Sequence, residues 1–103
     1  MPYEVEWLEE TIDDFYAVPT RYHKAIRAKV GHFADTLPQS LTLRGVQPIR
    51  DLPHGFWEID VGRTRVAVFA DASNQRVIVY MVGSHDFAFD NYVNLARKRL
   101  GAP

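Results

Sequence analysis

The chain opens with apolar and polar side chains in strict alternation. Tyr3, Val5 and Trp7 are separated by Glu4 and Glu6, and this period of two predicts a strand with one buried face. The spacing then changes to that of an amphipathic helix, which ends at Val18-Pro19. The apolar residues of this predicted helix are Leu8, Ile12, Phe15 and Tyr16. A short helix therefore follows the first strand.

A second, longer helix is predicted after Pro19, a residue that suits the first turn of a helix. Its apolar stripe ends at Pro38 and consists of Tyr22, Ile26, Val30, Phe33 and Leu37. The basic residues Arg21, Lys24, Arg27 and Lys29 lie off this stripe. The two helices form a hairpin whose apolar side needs a sheet to cover it.

Three strands of that sheet are predicted in the second half of the chain. The first, residues 56–61, places Trp57, Ile59 and Val61 on one face and Glu58 and Asp60 on the other. The next two, residues 65–70 and 77–82, are apolar on both faces, which indicates central or covered strands. Residues 71–75 are rich in turn formers and join them as a hairpin. A further short strand near residues 41–43 would extend the sheet.

A last helix is predicted from Ser84 or Asp86, either of which can cap it. Its apolar side contains Phe89, Tyr92, Val93, Ala96 and Leu100, and three basic residues in its final turn complement the helix dipole. The predicted order is β-α-α-β-β-β-α. The sequence thus predicts one α+β domain over residues 1–103, with a mainly antiparallel sheet, a helical hairpin on one face and a C-terminal helix.

Composition limits the chemistry that this domain can perform. The chain has 103 residues, which suffices for one compact core, and it has no cysteine, which excludes disulfides and thiolate chemistry. Its four histidines show no metal-ligand spacing and no glycine-rich phosphate loop is present, so we expect neither a metal nor another cofactor. No segment approaches the ~20 apolar residues of a membrane span. We expect a soluble, unexported, cytoplasmic protein with no membrane partner.

Charge is distributed unevenly along the chain. The net charge is −1, but residues 1–20 hold six acidic groups and no Lys or Arg. The remaining residues hold twelve basic groups and seven acidic ones, a balance of +5. A basic face away from the first helix would suit a nucleic-acid partner, while an ordinary mixed surface is the simpler alternative.

The stretch from residue 49 to residue 86 carries the most specific pattern. It contains Gly55-Phe56-Trp57, Val61-Gly62, an Arg63-x-Arg65 pair and Val82-Gly83-Ser84-His85. This pattern resembles the RelE/ParE superfamily of bacterial toxins, most closely its RelE, YoeB and phage Gp49-like branch. The resemblance implies a toxin that is paired with an antitoxin. Many such toxins cut mRNA on the ribosome, and others act on DNA gyrase.

RNA supplies its own nucleophile, the 2′-hydroxyl group, so a metal-free site needs a base, cations for the phosphate and an acid for the leaving oxygen. The resemblance implies that Arg65 holds the scissile phosphate, and an ion pair with Glu58 or Asp60 is its alternative role. His85 would be the acid, or else a helix cap. Tyr92 lies near a family tyrosine that stacks or transfers protons, and a core position is its alternative.

Three further residues complete the predicted site. Arg50 and Arg63 would bind phosphate, and His54 would substitute for the glutamate base of YoeB-like toxins, because Gln47 stands near that position and cannot accept a proton as a carboxylate does. An exposed loop position is the alternative for His54.

Glu58 and Asp60 depart from the family pattern, because RelE-like toxins have lysines there. Two carboxylates would repel phosphate if they faced the site. Two hypotheses therefore remain: an endoribonuclease, or a binding protein of the same fold that acts on a target such as gyrase or only binds its antitoxin. The two hypotheses are distinguished by whether Glu58 and Asp60 face the site around Arg65 or point away from it. A register shift of one residue would move both carboxylates to the opposite face.

Overall fold

The computed structural model describes residues 2–103. Its five strands and three helices follow one another with short 3₁₀ turns at Thr20–Tyr22 and Gln39–Thr42. In chain order they are β1 (Glu4–Trp7), α1 (Glu9–Ala17), α2 (His23–Asp35), β2 (Val46–Pro48), β3 (Phe56–Val61), β4 (Thr64–Asp71), β5 (Arg76–Ser84) and α3 (His85–Leu100). The predicted α+β order is confirmed, with one additional strand.

The five strands form a single sheet in the order β1-β5-β4-β3-β2. β1 runs parallel to β5, and the other three neighbouring pairs are antiparallel. The sheet is therefore mainly antiparallel, as predicted. The apolar strands β4 and β5 lie inside it, between the short edge strands β1 and β2.

Helices cover the sheet on both faces, which explains why β4 and β5 are apolar on both sides. On one face, α1 and α2 pack through Phe15, Ile26, Val30 and Phe33 against a layer of valines from the strands and Ile59. On the other face, α3 packs through Ala88, Tyr92 and Ala96 against Phe56, Ala67, Tyr80 and Met81. The predicted hairpin and C-terminal helix thus lie on opposite faces.

A bulge in β5 secures α3 to the sheet. Ala67 pairs with Met81 and Val68 pairs with Val79, so Tyr80 is an extra residue with no partner on β4. Tyr80 and Met81 consequently both belong to the core beneath α3. The Tyr80 hydroxyl group donates a hydrogen bond of 3.0 Å to the carbonyl oxygen of Tyr92 on α3.

The prediction of an extra strand at residues 41–43 is wrong, because the extra strand lies a few residues later. Leu41 and Thr42 belong to a 3₁₀ turn, and the strand is Val46–Pro48, which pairs with β3. Gly45 precedes this strand with a φ of 85°, a conformation that glycine adopts without strain. Pro48 is compatible with an edge strand because no neighbour requires its missing N–H group.

Some residues predicted to face the core are exposed instead. Phe89 is 76% exposed, Tyr16 68% and Ile12 42%. The buried side of α3 consists of residues spaced four apart, namely Ala88, Tyr92 and Ala96. The two alanines are small, so the helix can approach the sheet closely. No helix in residues 2–103 combines the length and apolarity that crossing a membrane requires.

Candidate functional site

A cleft of about 650 Å³ opens between α3 and the β2–β3–β4 side of the sheet. Four of the six predicted site residues line it, and they come from three separate places in the fold. The loop after β2 provides Arg50, β4 provides Arg65, and α3 provides His85 and Tyr92. Glu58 and Asp60 of β3 also line the cleft.

Arg65 occupies the cleft and is also ion-paired there. It lies directly opposite Asp60 in the β3–β4 register. Its Nη1 donates to Oδ1 of Asp60 and to Oε1 of Glu58, the latter at 3.3 Å. The side chains are largely shielded, with exposed fractions of 20% for Arg65, 33% for Asp60 and 14% for Glu58. Both carboxylates thus face the site around Arg65.

The charges of the cleft nearly cancel. Arg50 and Arg65 contribute two positive charges, and Asp51, Glu58 and Asp60 contribute three negative ones. Arg50 is exposed in the loop after β2, and its guanidinium group makes no hydrogen bond or ion pair with another side chain of residues 2–103. An incoming anion would therefore meet Arg50 before it meets the neutralised Arg65.

His85 is the first residue of α3 and points into solvent at the cleft, with 58% of its side chain exposed. Its backbone N–H group donates to the carbonyl oxygen of Arg63 at 3.2 Å, and its Nδ1 lies 3.4 Å from Oδ1 of Asp86. Ser84 caps the helix, because its Oγ accepts the N–H group of Phe87 at 3.3 Å. The His85 ring is thus available to exchange protons with a ligand.

Tyr92 contributes a protonated hydroxyl group. Burial raises the pKa of Tyr92, and the carboxylate of Glu58 raises it further. Its side chain packs in the core beneath α3 and is 8% exposed. The phenol therefore cannot act as a base near neutral pH, and its ring is too enclosed to stack on a substrate.

His54 and Arg63 lie outside the cleft. His54 is exposed in the loop between β2 and β3, where its ring is 6.4 Å from the ring of Trp57. Arg63, in the turn between β3 and β4, lines a different cavity of about 520 Å³ beside the end of α1. The fold does not bring either residue together with Arg65.

Sequence reasoning missed Phe89 and Val93, which also line the cleft. Together with His85 and Tyr92 they are spaced at i, i+4, i+7 and i+8, so they follow one side of α3. This spacing in the sequence could have indicated that the four residues form one stripe of α3 that faces the cleft. Residues 2–103 contain no cluster of three or more metal-ligating side chains.

No protein-family model and no curated protein matches the chain. Solved structures do match it. A double mutant of Escherichia coli toxin RelE in the free state superimposes with a TM-score of 0.74 and 15% identity, over 95% of this chain and 98% of that chain.

Two structures of toxin–antitoxin complexes are similar as well. RelBE2 from Mycobacterium tuberculosis has a TM-score of 0.61 and 22% identity, over 82% of this chain and 100% of the matched chain. The RelB–RelE complex from Methanococcus jannaschii has a TM-score of 0.65 and 18% identity, over 84% and 98% of the two chains. The chain therefore has the same fold as these RelE toxins.

Proposed function

We propose that this protein is the toxin of a type II toxin–antitoxin system and that its cleft is a metal-free endoribonuclease site for mRNA. The observation that carries this proposal is the convergence of Arg50, Arg65, His85 and a carboxylate pair in one cleft. Those groups are the cations, acid and base that RNA cleavage requires.

The proposed reaction is an internal transfer of the phosphodiester. A carboxylate of β3, Glu58 or Asp60, accepts the proton of the 2′-hydroxyl group, and the 2′-oxygen forms a bond to phosphorus. The bond from phosphorus to the 5′-oxygen breaks as protonated His85 donates its proton to that oxygen. The products are a 2′,3′-cyclic phosphate and a 5′-hydroxyl end. Arg65 and Arg50 neutralise the phosphate during this step.

The carboxylates that seemed unfavourable for phosphate binding have a role in this arrangement. Among residues 2–103, no histidine or lysine lines the cleft besides His85, so Glu58 and Asp60 are its candidate bases, together with the exposed Asp51. Their ion pairs fix the guanidinium group of Arg65 in the cleft. The cost is a weaker attraction for RNA, which a large partner such as the ribosome would offset by holding the mRNA in place.

The fold supports the antitoxin as a partner. Similar structures are complexes of RelE toxins with RelB antitoxins, including a complex of RelE with a RelB peptide. We therefore propose a RelB-like antitoxin for this chain, and mRNA on the ribosome as the target in the bacterial cytoplasm.

The proposal is tested by inducing the chain alone in a bacterial host while following growth and the 5′ ends of transcripts. We expect growth arrest with new 5′ ends inside coding regions. His85→Gln should relieve both effects, because the amide cannot donate a proton as imidazolium does. His32→Gln is the matched control, since His32 is an exposed histidine of α2 on the opposite face of the sheet. Arrest without new ends would contradict the nuclease.

The near-neutral cleft favours a second candidate, a toxin-fold protein that binds a macromolecule without cutting RNA. Arg65 is already paired with two carboxylates, which is an arrangement that suits a protein partner. Growth arrest with intact transcripts would support a protein target such as gyrase. Normal growth would support a protein that only binds its antitoxin.

A further inference from the structure

Phe89 is the most exposed large apolar side chain in residues 2–103, at 76%. It belongs to neither hydrophobic core, and its ring makes no aromatic pair with any ring in the described chain. The adjacent Ala88 fixes α3 to the sheet instead. The fold therefore gains nothing from a phenyl group at this position, while leaving it in water carries a cost.

The cleft beside Phe89 combines apolar residues, among them Pro48, Ile49 and Val93, with charged ones. Phe89 lies at the cleft with His85 one helical turn earlier, Arg50 in the facing loop and Arg65 on the sheet. An exposed ring beside cations is the arrangement with which proteins bind single-stranded nucleic acid, since bases stack on the ring and phosphates meet the cations.

We infer that Phe89 forms a nucleobase subsite of the cleft, in which an unpaired base of RNA stacks on the phenyl ring while a neighbouring phosphate contacts Arg50. This inference rests on the proposed function, because it assumes an RNA substrate. Tyr92, which the sequence suggests for stacking, is 8% exposed and cannot offer its ring face. Phe89 lies three residues earlier on the same stripe of α3 and offers that face in its place.

A protein partner fits this position less well. The core of a protein interface is depleted of charged residues, whereas Arg50, Asp51 and Asp60 line the cleft together with Phe89. The other exposed phenylalanine of α3, Phe87, differs in that it packs over Gly83. A Cβ atom at Gly83 would lie 2.5 Å from the Phe87 ring. Phe87 thus has a packing function that Phe89 lacks.

The test uses a short single-stranded RNA that contains 2-aminopurine, a base whose fluorescence is quenched by stacking. Its 2′-positions carry O-methyl groups, so it cannot be cleaved. We expect the full-length protein to quench the probe and Phe89→Tyr to retain this effect. Phe89→Leu should lose the quenching and weaken binding about ten-fold, because leucine is apolar but has no π face. Tyr16→Ala, which removes an exposed aromatic side chain from α1, should bind as the wild type does.

Equal binding and quenching by Phe89→Leu and the wild type would overturn the subsite, and so would an absence of quenching by the wild type. Neither result depends on the growth assay, which tests the nuclease through His85. A wild type that cleaves transcripts but does not stack the probe would therefore refute the Phe89 subsite alone. A wild type that stacks the probe but leaves transcripts intact would support RNA binding and contradict the nuclease.

Discussion

Arg65 lines the cleft, and its guanidinium group is paired there with the carboxylates of Glu58 and Asp60. This pairing depends on the β3–β4 register, in which Asp60 lies directly opposite Arg65. A shift by one residue would have moved the carboxylates to the other face.

Replacing Arg65 with Ala should lower stability, because it leaves Glu58 and Asp60 as two shielded carboxylates without their cation. We expect the free energy of unfolding to fall by about 1–2 kcal/mol at neutral pH, measured by urea denaturation. Arg50→Ala, at an exposed loop position, should stay within about 0.5 kcal/mol of the wild type. A loss for Arg65→Ala no larger than that for Arg50→Ala would show that the ion pairs with Glu58 and Asp60 do not stabilise the fold.

Tyr92 should make the domain sensitive to alkaline pH. Burial and the Glu58 carboxylate raise the pKa of Tyr92 in the folded state above the value of about 10 in the unfolded chain. As the pH rises, the unfolded chain therefore loses this proton first, so stability is complete below about pH 10 and declines above it. Tyr92→Phe has no proton to lose, and its free energy of unfolding should decline less between about pH 9 and pH 11, by about 1 kcal/mol.

The exposed Tyr16 provides the control for this experiment. Tyr16→Phe also deletes one phenol hydroxyl group, and we expect its stability to follow the same alkaline decline as the wild type. Parallel declines for Tyr92→Phe and the wild type would show that Tyr92 ionises equally in both states.

At the scale of elements, an ion pair completes an edge of the sheet that β1 leaves open. β1 pairs with β5 only from Arg76 to Val79. After Val79, two side chains from opposite faces of the sheet bond to the backbone of β5. Arg99 of α3 donates to the carbonyl oxygen of Tyr80 at 2.8 Å, and Asp14 of α1 accepts a hydrogen bond from the N–H group of Val82 at 3.4 Å. Nη1 of Arg99 also lies 2.6 Å from Oδ2 of Asp14.

Removing one partner of this pair should destabilise the domain. The side chains of Arg99 and Asp14 are 13% and 17% exposed, so Arg99→Ala leaves a shielded carboxylate without its cation and Tyr80 without a donor. We expect a loss of about 2 kcal/mol in the free energy of unfolding. Lys98→Ala is the matched control, because Lys98 is an exposed residue of the same helical turn, and it should change stability by less than about 0.5 kcal/mol.

A double-mutant cycle would isolate the pair. We expect Asp14→Ala combined with Arg99→Ala to cost less than the sum of the single changes, by at least about 1 kcal/mol. Additive losses would mean that the two residues stabilise the edge independently.

The elements themselves were largely predictable, whereas their long-range side-chain partners were not. Periods of two and 3.6 identified β1, β3 and all three helices, because those patterns reflect burial on one side. β4 and β5 were identified as runs that are apolar on both faces. The strand at Val46–Pro48 was misplaced because three residues on an edge carry too little periodicity. Arg99 was assigned only to the helix dipole, since nothing in the local sequence relates it to Asp14, 85 residues away.

At the scale of the whole molecule, the sheet separates two regions of different charge. The exposed acidic side chains Glu9, Glu10 and Asp13 lie on α1, which packs on one face. The cleft with Arg50 lies at the other face, beneath α3. The net charge of −1 averages over these two regions. The sequence reveals that charge is distributed unevenly along the chain. Only the fold shows that the acidic helix α1 lies on the opposite side of the sheet from the cleft.

This separation predicts how RNA binding depends on salt, because each contact between a cation and a phosphate of a single strand adds about 0.7 to the slope of log K against log salt. With the uncleavable RNA as ligand, Arg50→Ala should lower the magnitude of the slope by about 0.7, since it removes one phosphate contact. A triple variant, Glu9→Gln, Glu10→Gln and Asp13→Asn, removes three negative charges, but these positions lie across the sheet from the cleft. It should leave the slope unchanged, because counterions are released only where a cation meets a phosphate. An unchanged slope in Arg50→Ala would show that RNA does not contact this arginine, and a steeper slope in the triple variant would show that RNA binds to α1.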